Sequence, residues 1–316
     1  MDFDQRLVPI ARHGLRDAGS VALAPSQQER TLAGVDHVGC EFGWLRSLAL
    51  RSDLVVLGTA AKVKVADSWI AVRTPEMPTL RLGNAVLFPH PPTATDIPSW
   101  LELLRAEVGI TAAVHGRLAW EGGRPEREVY RAFDEAGFEA YDSLSMVAAA
   151  LNARSGASDV SVKPIRDTPG WADLLAFQDP SSHALGTARN EMAAKRIGLY
   201  RTRVAQETGA WFAGYRDGNL IGCCGVLVGH GIARLQGLKT AAEHRRSGIG
   251  VSLVRAASEW ALRVSGVKQL VAVVDPYYHA MRLFQSVGFE PHDLACGTVP
   301  AGTVAQDLRV GQPASS

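Results

Sequence analysis

The chain has 316 residues, 47% of them apolar, with 33 Lys and Arg against 32 Asp and Glu. That length accommodates two ordinary domains, and a formal charge of +1 argues against a broad nucleic-acid surface. No segment has the uncharged length of a membrane helix, and the opening MDFDQRLVPIARHG lacks the apolar core of a signal peptide.

Residues 1–40 sustain neither hydrophobic period and are expected to be loosely ordered or to form a peripheral wrap. Glu41 to Ala61 reads as one or two short helices, with Arg46, Arg51 and Asp53 spaced along an apolar stretch. Val63 to Thr74 predicts two strands turning at Asp67–Ser68, and Leu80 to Pro89 predicts a third. Asp96, Ile97 and Pro98 open a helix whose apolar stripe is Trp100, Leu101, Leu104 and Val108. A strand near Ala112 to Trp120, a helix over Glu126 to Glu135 ended by Gly137, and a strand from Phe138 complete the first half. The linker is Asn152 to Asp159, NARSGASD, which sets the expected domains at 1–155 and 156–316.

The second half opens with a strand at Val160 to Ile165. Helical segments follow at Trp171 to Gln178 and Glu191 to Gln206. Ala210–Tyr215, Leu220–Val228 and Ile232–Thr240 form an antiparallel meander, and Gly237 inside its last strand marks a bulge. A helix from Ile249 to Val264 aligns Gly250, Leu253, Val254, Ala257 and Ala261 on one face. Gln269 to Val274 is a continuous apolar run, as a buried parallel strand should be. A last helix, Tyr278 to Ser286, ends at Gly288, and the tail beyond Thr298 is expected to fray.

Between the meander and the long helix lies Thr240 to Val251, TAAEHRRSGIGV. Glycines let a ligand approach the backbone, because no Cβ stands in the way. A helix starting near Ile249 aims unpaired N–H groups into that loop, and such an end attracts phosphate. Arg245 and Arg246 add two charges beside it. The segment reads as a cradle for a pyrophosphate.

FDEAGFE at Phe133–Glu139 and FQSVGFE at Phe284–Glu290 match in spacing, and both lie between a helix and a strand. The chain therefore reads as two copies of one fold. In the first copy the loop equivalent to the cradle is PHPPTATDIP, whose four prolines offer no N–H to a phosphate. One half is expected to bind and the other is not.

With these elements in place, the second half resembles the GNAT superfamily of acyl-CoA N-acyltransferases. The family signature Arg/Gln-x-x-Gly-x-Gly/Ala is matched by Arg245-Arg246-Ser247-Gly248-Ile249-Gly250. The later pattern Asn-x-x-Ala-x-x-Leu-Tyr, followed by Gly-Phe, is matched from Tyr277 through Ala280, Leu283 and Phe284 to Gly288-Phe289. The resemblance covers about 160–298, and the repeat extends it to a degenerate first half. It implies an α/β protein of two tandem GNAT-like folds, each a mixed, mostly antiparallel sheet flanked by helices. It implies acetyl-CoA as co-substrate, held at its pyrophosphate by the loop from Arg245 through Ser247, Gly248, Ile249 and Gly250 to Val251. Leu238 and Thr240 would pair with the pantetheine arm and polarise the thioester carbonyl. Two residues depart from the pattern. Phe284 replaces the Tyr that protonates the leaving thiolate, and Tyr277 replaces the Asn, so Tyr277, Tyr278 or a water is expected to supply the proton, or catalysis proceeds without an acid.

The alternatives fit less well. A dinucleotide fold would need Gly or Ala where Leu253 stands, and no GxxxxGK[ST] or G-x-S-x-G segment occurs. The nine histidines show no ligand spacing, so no metal is expected. Cys40, Cys223, Cys224 and Cys296 fall in no ligand pattern, which fits a reducing cytoplasm. Asp275 is either an active-site acid or the polar end of a buried strand. The expected activity is direct acetyl transfer to a primary amine of a small molecule or peptide, by a monomer or homodimer that engages neither nucleic acid nor membrane. A non-catalytic acyl-CoA-binding regulatory protein is the alternative.

Overall fold

The computed structural model of the protein describes residues 28–31, 43–109, 115–153, 156–178 and 188–301. In the first half, β1 (Gln28–Thr31) is an edge strand antiparallel to β2 (Lys62–Val65), and helix α1 (Leu48–Leu57) lies between them in sequence. β2, β3 (Ile70–Arg73) and β4 (Ala85–Phe88) form an antiparallel meander. Helix α2 (Ile97–Val108) crosses over, and β5 (Arg117–Trp120) returns parallel to β4. Helix α3 (Arg127–Glu135) then leads into the long β6 (Phe138–Ala148).

The second half repeats this plan. It comprises β7 (Ser161–Pro164), α4 (Thr168–Gln178), α5 (Ala188–Ala205) and a meander of β8 (Gly209–Arg216), β9 (Asn219–Gly229) and β10 (Ile232–Thr240). Helix α6 (Ile249–Leu262) crosses over to β11 (Gln269–Val274), parallel to β10. Helix α7 (Ala280–Val287) leads into the long β12 (Glu290–Pro300).

The two halves do not close their sheets separately. All the strands form a single sheet in the order β1-β2-β3-β4-β5-β12-β6-β11-β10-β9-β8-β7. Each half's last strand is seated against the other half: β12 pairs with β5, β6 pairs with β11, and β6 and β12 pair antiparallel with each other. The spacing that carries Phe133 to Phe284 also carries Ser143 to Leu294 and Leu144 to Ala295. Those four residues form two neighbouring cross-strand pairs, Ser143 with Ala295 and Leu144 with Leu294. The sequence repeat is thus an internal two-fold of the sheet, with its axis at the middle of the β6–β12 pair.

Helix α1 joins the halves on one face. Its sequence, LALRSDLVVL, is apolar nearly all round, and every residue except Arg51 is buried, as a helix packed on two sides requires. Leu50, Leu54 and Leu57 join a first-half core with Val63, Ile70 and Leu87. Leu48, Val55 and Val56 join a second-half core with Trp171, Trp211 and Val271. The N-terminus of α1 is held by two carboxylates, as the helix dipole favours. Glu121 accepts the N–H groups of Arg46 and Ser47, each at 2.5 Å. Asp293 of β12 accepts the Leu48 N–H at 3.1 Å and the Ser47 hydroxyl at 2.5 Å. Arg203 of α5 holds the other end, donating through Nη1 to the Val55 carbonyl at 2.9 Å and through Nη2 to the Val228 carbonyl at 2.8 Å.

Several expectations change. Residues 28–31, inside the stretch expected to be loosely ordered or a peripheral wrap, form the edge strand β1, which needs only backbone pairing that periodicity does not register. Most of residues 1–40, and the tail from 302, lie outside the described residues. The third strand starts at Ala85 rather than Leu80, because residues 81–83 form a tight turn. The Asn84 amide fastens that turn by donating to the Met77 and Leu80 carbonyls at 2.9 and 2.8 Å. The last helix starts at Ala280 rather than Tyr278, since Asp275 Oδ1 accepts the Tyr277 N–H at 2.8 Å and forms a turn. Asp275 is therefore bound to its own turn. Within the linker, Asn152 and Ala157 bond to α7 and α6 respectively.

Strand exchange makes a prediction about truncation. Without β6, the fragment 156–316 has a gap one strand wide between β11 and β12, and its Trp171–Trp211 cluster loses the cover of α1. Size-exclusion chromatography is expected to show aggregates or dimers. A soluble monomer with cooperative unfolding would contradict this.

Candidate functional site

The site begins where β10 and β11 part. They pair only over Ile232–Arg234 against Gln269–Val271. Beyond that point β10 continues to Thr240, while β11 keeps its pairing with β6 through Val274. A wedge therefore opens at the C-terminal ends of two parallel strands. Beside it, the β9–β10 register jumps between Gln236 and Lys239, so Gly237 and Leu238 have no partner in that ladder. Gly237 sits at φ +63°, and a Cβ there would lie 2.8 Å from the Trp211 ring. Both the backbone conformation and the packing require glycine. Leu238 and Thr240 are half-buried along the wedge.

The first half shows no such opening. There β4 and β5 stay in register along their whole length, Ala85–Phe88 against Arg117–Trp120. The strands part in only one of the two copies.

The loop from Thr240 to Gly248 ends the wedge. Arg245, Arg246 and Ser247 are exposed, and the Ser247 hydroxyl donates to the His244 carbonyl at 2.7 Å. Arg246 and Gly248 both adopt left-handed conformations, with φ of +63° and +83°. These turns bring the chain into α6, whose first-turn N–H groups at Ile249, Gly250 and Val251 have no helical acceptor. The side chains of Ile249 and Val251 are in the core, so these residues offer only their backbone to the loop. No acidic residue stands in the first turn of α6, which leaves the positive end of the helix uncompensated. Gly248 and Gly250 also have a packing reason that the sequence did not disclose. A Cβ on Gly248 would lie 3.0 Å from the Ala157 nitrogen, and one on Gly250 would lie 2.5 Å from Leu283 Cδ1.

Tyr277 is 75% exposed, but its hydroxyl has partners. It accepts from Arg124 Nη2 at 2.6 Å and donates to Asp142 Oδ2 at 3.1 Å. Arg124 and Asp142 are themselves paired at 2.7 Å. Asp142 is on β6, so the hydroxyl points to the side of β11 away from β10. Burial, then the Asp142 charge and its hydrogen bond, push the Tyr277 phenol above its ordinary range. Tyr278 is half-buried, with its ring tilted against His279. Phe284 is buried against Phe289 in the core.

One contact among buried charged residues was not foreseen from the sequence. The Asp53 carboxylate of α1 meets Arg117 Nη2 of β5 at 2.7 Å and Arg234 Nη1 of β10 at 3.2 Å, and all three side chains are buried. Burial works against the Arg117 charge, but the fields of Tyr141 and Asp53 outweigh it and raise its pKa. For Arg234, burial prevails and lowers it. The available signal was a charged residue inside each of three otherwise apolar segments. Among the described residues, no group of His, Cys, Asp and Glu is arranged to hold a metal ion, and no helix is long and apolar enough to cross a membrane. Cys223, Cys224 and Cys296 are buried and free, and Cys40 lies outside the described residues.

Comparison with known proteins finds the same fold. A GCN5-related N-acetyltransferase from Kribbella flavida superposes with a TM-score of 0.58 at 15% identity, covering 81% of this chain and 96% of that one. One from Sphaerobacter thermophilus gives 0.52 at 12% identity, with 82% and 84% covered. A conserved protein of unknown function from Staphylococcus epidermidis gives 0.59 at 13% identity, with 74% and 90% covered. At such identities the likeness is one of fold. No curated protein matches the sequence. The model of the acetyltransferase (GNAT) family matches residues 173–289, a span that contains the meander, the wedge, the loop and α6. Residues 173–289 therefore carry a domain that matches the acetyltransferase (GNAT) family.

Proposed function

We propose that the protein is an N-acetyltransferase that binds one acetyl-CoA in its second half and passes the acetyl group directly to a primary amine of a small molecule or peptide. The observation that carries the proposal is the wedge, with its bulge at Gly237–Leu238 and an uncompensated helix end across the loop. In this reading the pyrophosphate lies on the backbone of Arg245–Val251, with the two arginines beside it. The pantetheine arm takes the place of a strand along Leu238 and Thr240, and the backbone at the bulge steadies the oxyanion. The amine attacks in its neutral form, and water carries its proton away, because β10 bears no carboxylate.

Tyr277 serves as the acid once its hydroxyl exchanges Asp142 for the thiolate, a rotation that its exposure permits. A phenol holds its proton at neutral pH even at its ordinary pKa of about 10. Tyr278 is the second candidate. The first half is a degenerate copy that scaffolds the second, with the domains divided near residue 155. The protein works in the cytoplasm as a monomer or homodimer, without nucleic acid or membrane. The alternative, a non-catalytic acyl-CoA-binding regulator, draws its support from Phe284, which offers no hydroxyl at the family's acid position.

Calorimetry with acetyl-CoA is expected to give one site per chain; two sites would contradict the inert first half. Arg245→Ala and Arg246→Ala are the cleanest loop variants, since both side chains are exposed. Each should weaken acetyl-CoA binding about three- to tenfold, less so at high salt, with the unfolding midpoint unchanged. Gly248→Val, by contrast, is expected to lose binding and stability together, because of its φ and its contact with Ala157.

Turnover with a panel of amines separates the enzyme from the regulator. If Tyr277 is the acid, Tyr277→Phe lowers turnover about ten- to a thousandfold with little change in acetyl-CoA affinity, and Tyr278→Phe does less. Full turnover in Tyr277→Phe would reduce that residue to a contact between the halves.

A further inference from the structure

Arg234 is the last residue of β10 with a partner on β11, Val271, so it stands at the apex of the wedge. Its side chain is buried and binds in two directions. Nη1 donates to Ser52 Oγ at 2.5 Å and to Asp53 Oδ1 at 3.2 Å, both on α1 of the first half. Nε turns back and donates to the carbonyl of Leu235 at 3.1 Å. Leu235 is the first residue of β10 beyond the β11 ladder. A backbone carbonyl shut away from water needs a donor, and here a guanidinium supplies it where the neighbouring strand has left.

The charges point the same way. Asp53 and Arg117 already form a matched buried pair at 2.7 Å. Arg234 is a second cation on the same carboxylate, and burying a surplus charge is unfavourable for folding. Stability therefore does not account for it, whereas its place at the apex does.

We propose that Arg234 is a positioning residue for the acyl site, pinning the apex of the wedge to α1 of the first half and holding β10 apart from β11. The inference rests on the reading of the wedge as the acyl-CoA slot. It gives the first half a part in the chemistry without contributing an atom to the reaction.

Arg234→Met in the full-length protein tests this. The substitution removes the surplus cation and leaves the Asp53–Arg117 pair intact, so the unfolding midpoint is expected to stay near that of the unaltered protein. Without ligand, amide hydrogen exchange over 235–240 is expected to quicken about tenfold, with 219–229 unchanged. With ligand, the KM for acetyl-CoA is expected to rise about tenfold, while the KM for the amine is unchanged. Unaltered exchange together with unaltered acetyl-CoA affinity would overturn the pin. Because exchange needs no ligand, an unaltered protein that fails to bind acetyl-CoA would overturn the acyltransferase reading alone, and exchange would still decide on the pin. Should Arg234→Met not fold, Arg234→Lys keeps a charge for Asp53, but one ammonium cannot span Asp53 and the Leu235 carbonyl together. Its exchange should also quicken, and unaltered exchange in that variant would overturn the proposal.

Discussion

The antiparallel pairing of β6 with β12 is the constraint on which the rest of this protein depends. Each of these long strands ends one half of the chain and lies inside the sheet beside the other half. A strand paired on both edges satisfies its backbone groups only when both neighbours are present. Neither half can complete its sheet alone, and the internal two-fold follows from that reciprocity. The α1 helix extends the dependence to one face of the sheet, since it buries opposite sides in the cores of the two halves.

Buried polar groups concentrate where the halves meet. Asp53 faces one arginine from each half, Arg203 joins the last turn of α1 to β9, and the half-buried Asp293 of β12 caps the helix start. Such groups tolerate few alternative arrangements, because an unpaired buried charge costs about 3–5 kcal/mol. Apolar contacts hold the halves together, and these polar contacts set how they sit. Arg124, Asp142 and Tyr277 add a more exposed contact of the same kind at the wedge end of β11.

The two halves share a plan and differ at one point in the sheet. In the second, β10 leaves β11 after three paired residues and a bulge frees Gly237 and Leu238. In the first, β4 and β5 remain paired along their whole length and a proline-rich loop follows. Opening a sheet exposes backbone donors and acceptors, and that cost is tolerated where something binds them. The second half bears the opening, and the first half bears on its apex through Asp53 and Ser52.

The sequence by itself determined the local features. The meander, the parallel strand after α6, the bulge at Gly237 and the loop at Arg245–Gly250 were legible because periodicity, turn residues and glycine positions are set by neighbours in the chain. The repeat at Phe133 and Phe284 was legible for the same reason. The pairing of β6 with β11, and of β12 with β5, was decided only by the tertiary structure, since two long strands of mixed polarity carry no mark that says which edge each will take. The Asp53–Arg117–Arg234 contact was likewise hidden, because its members lie far apart in the chain. A charge within an apolar segment shows that a partner is needed, and only the fold supplies its identity. The direction of the Tyr277 hydroxyl depended on that same exchange, since Asp142, which accepts its hydrogen bond, is carried by the strand that the first half contributes.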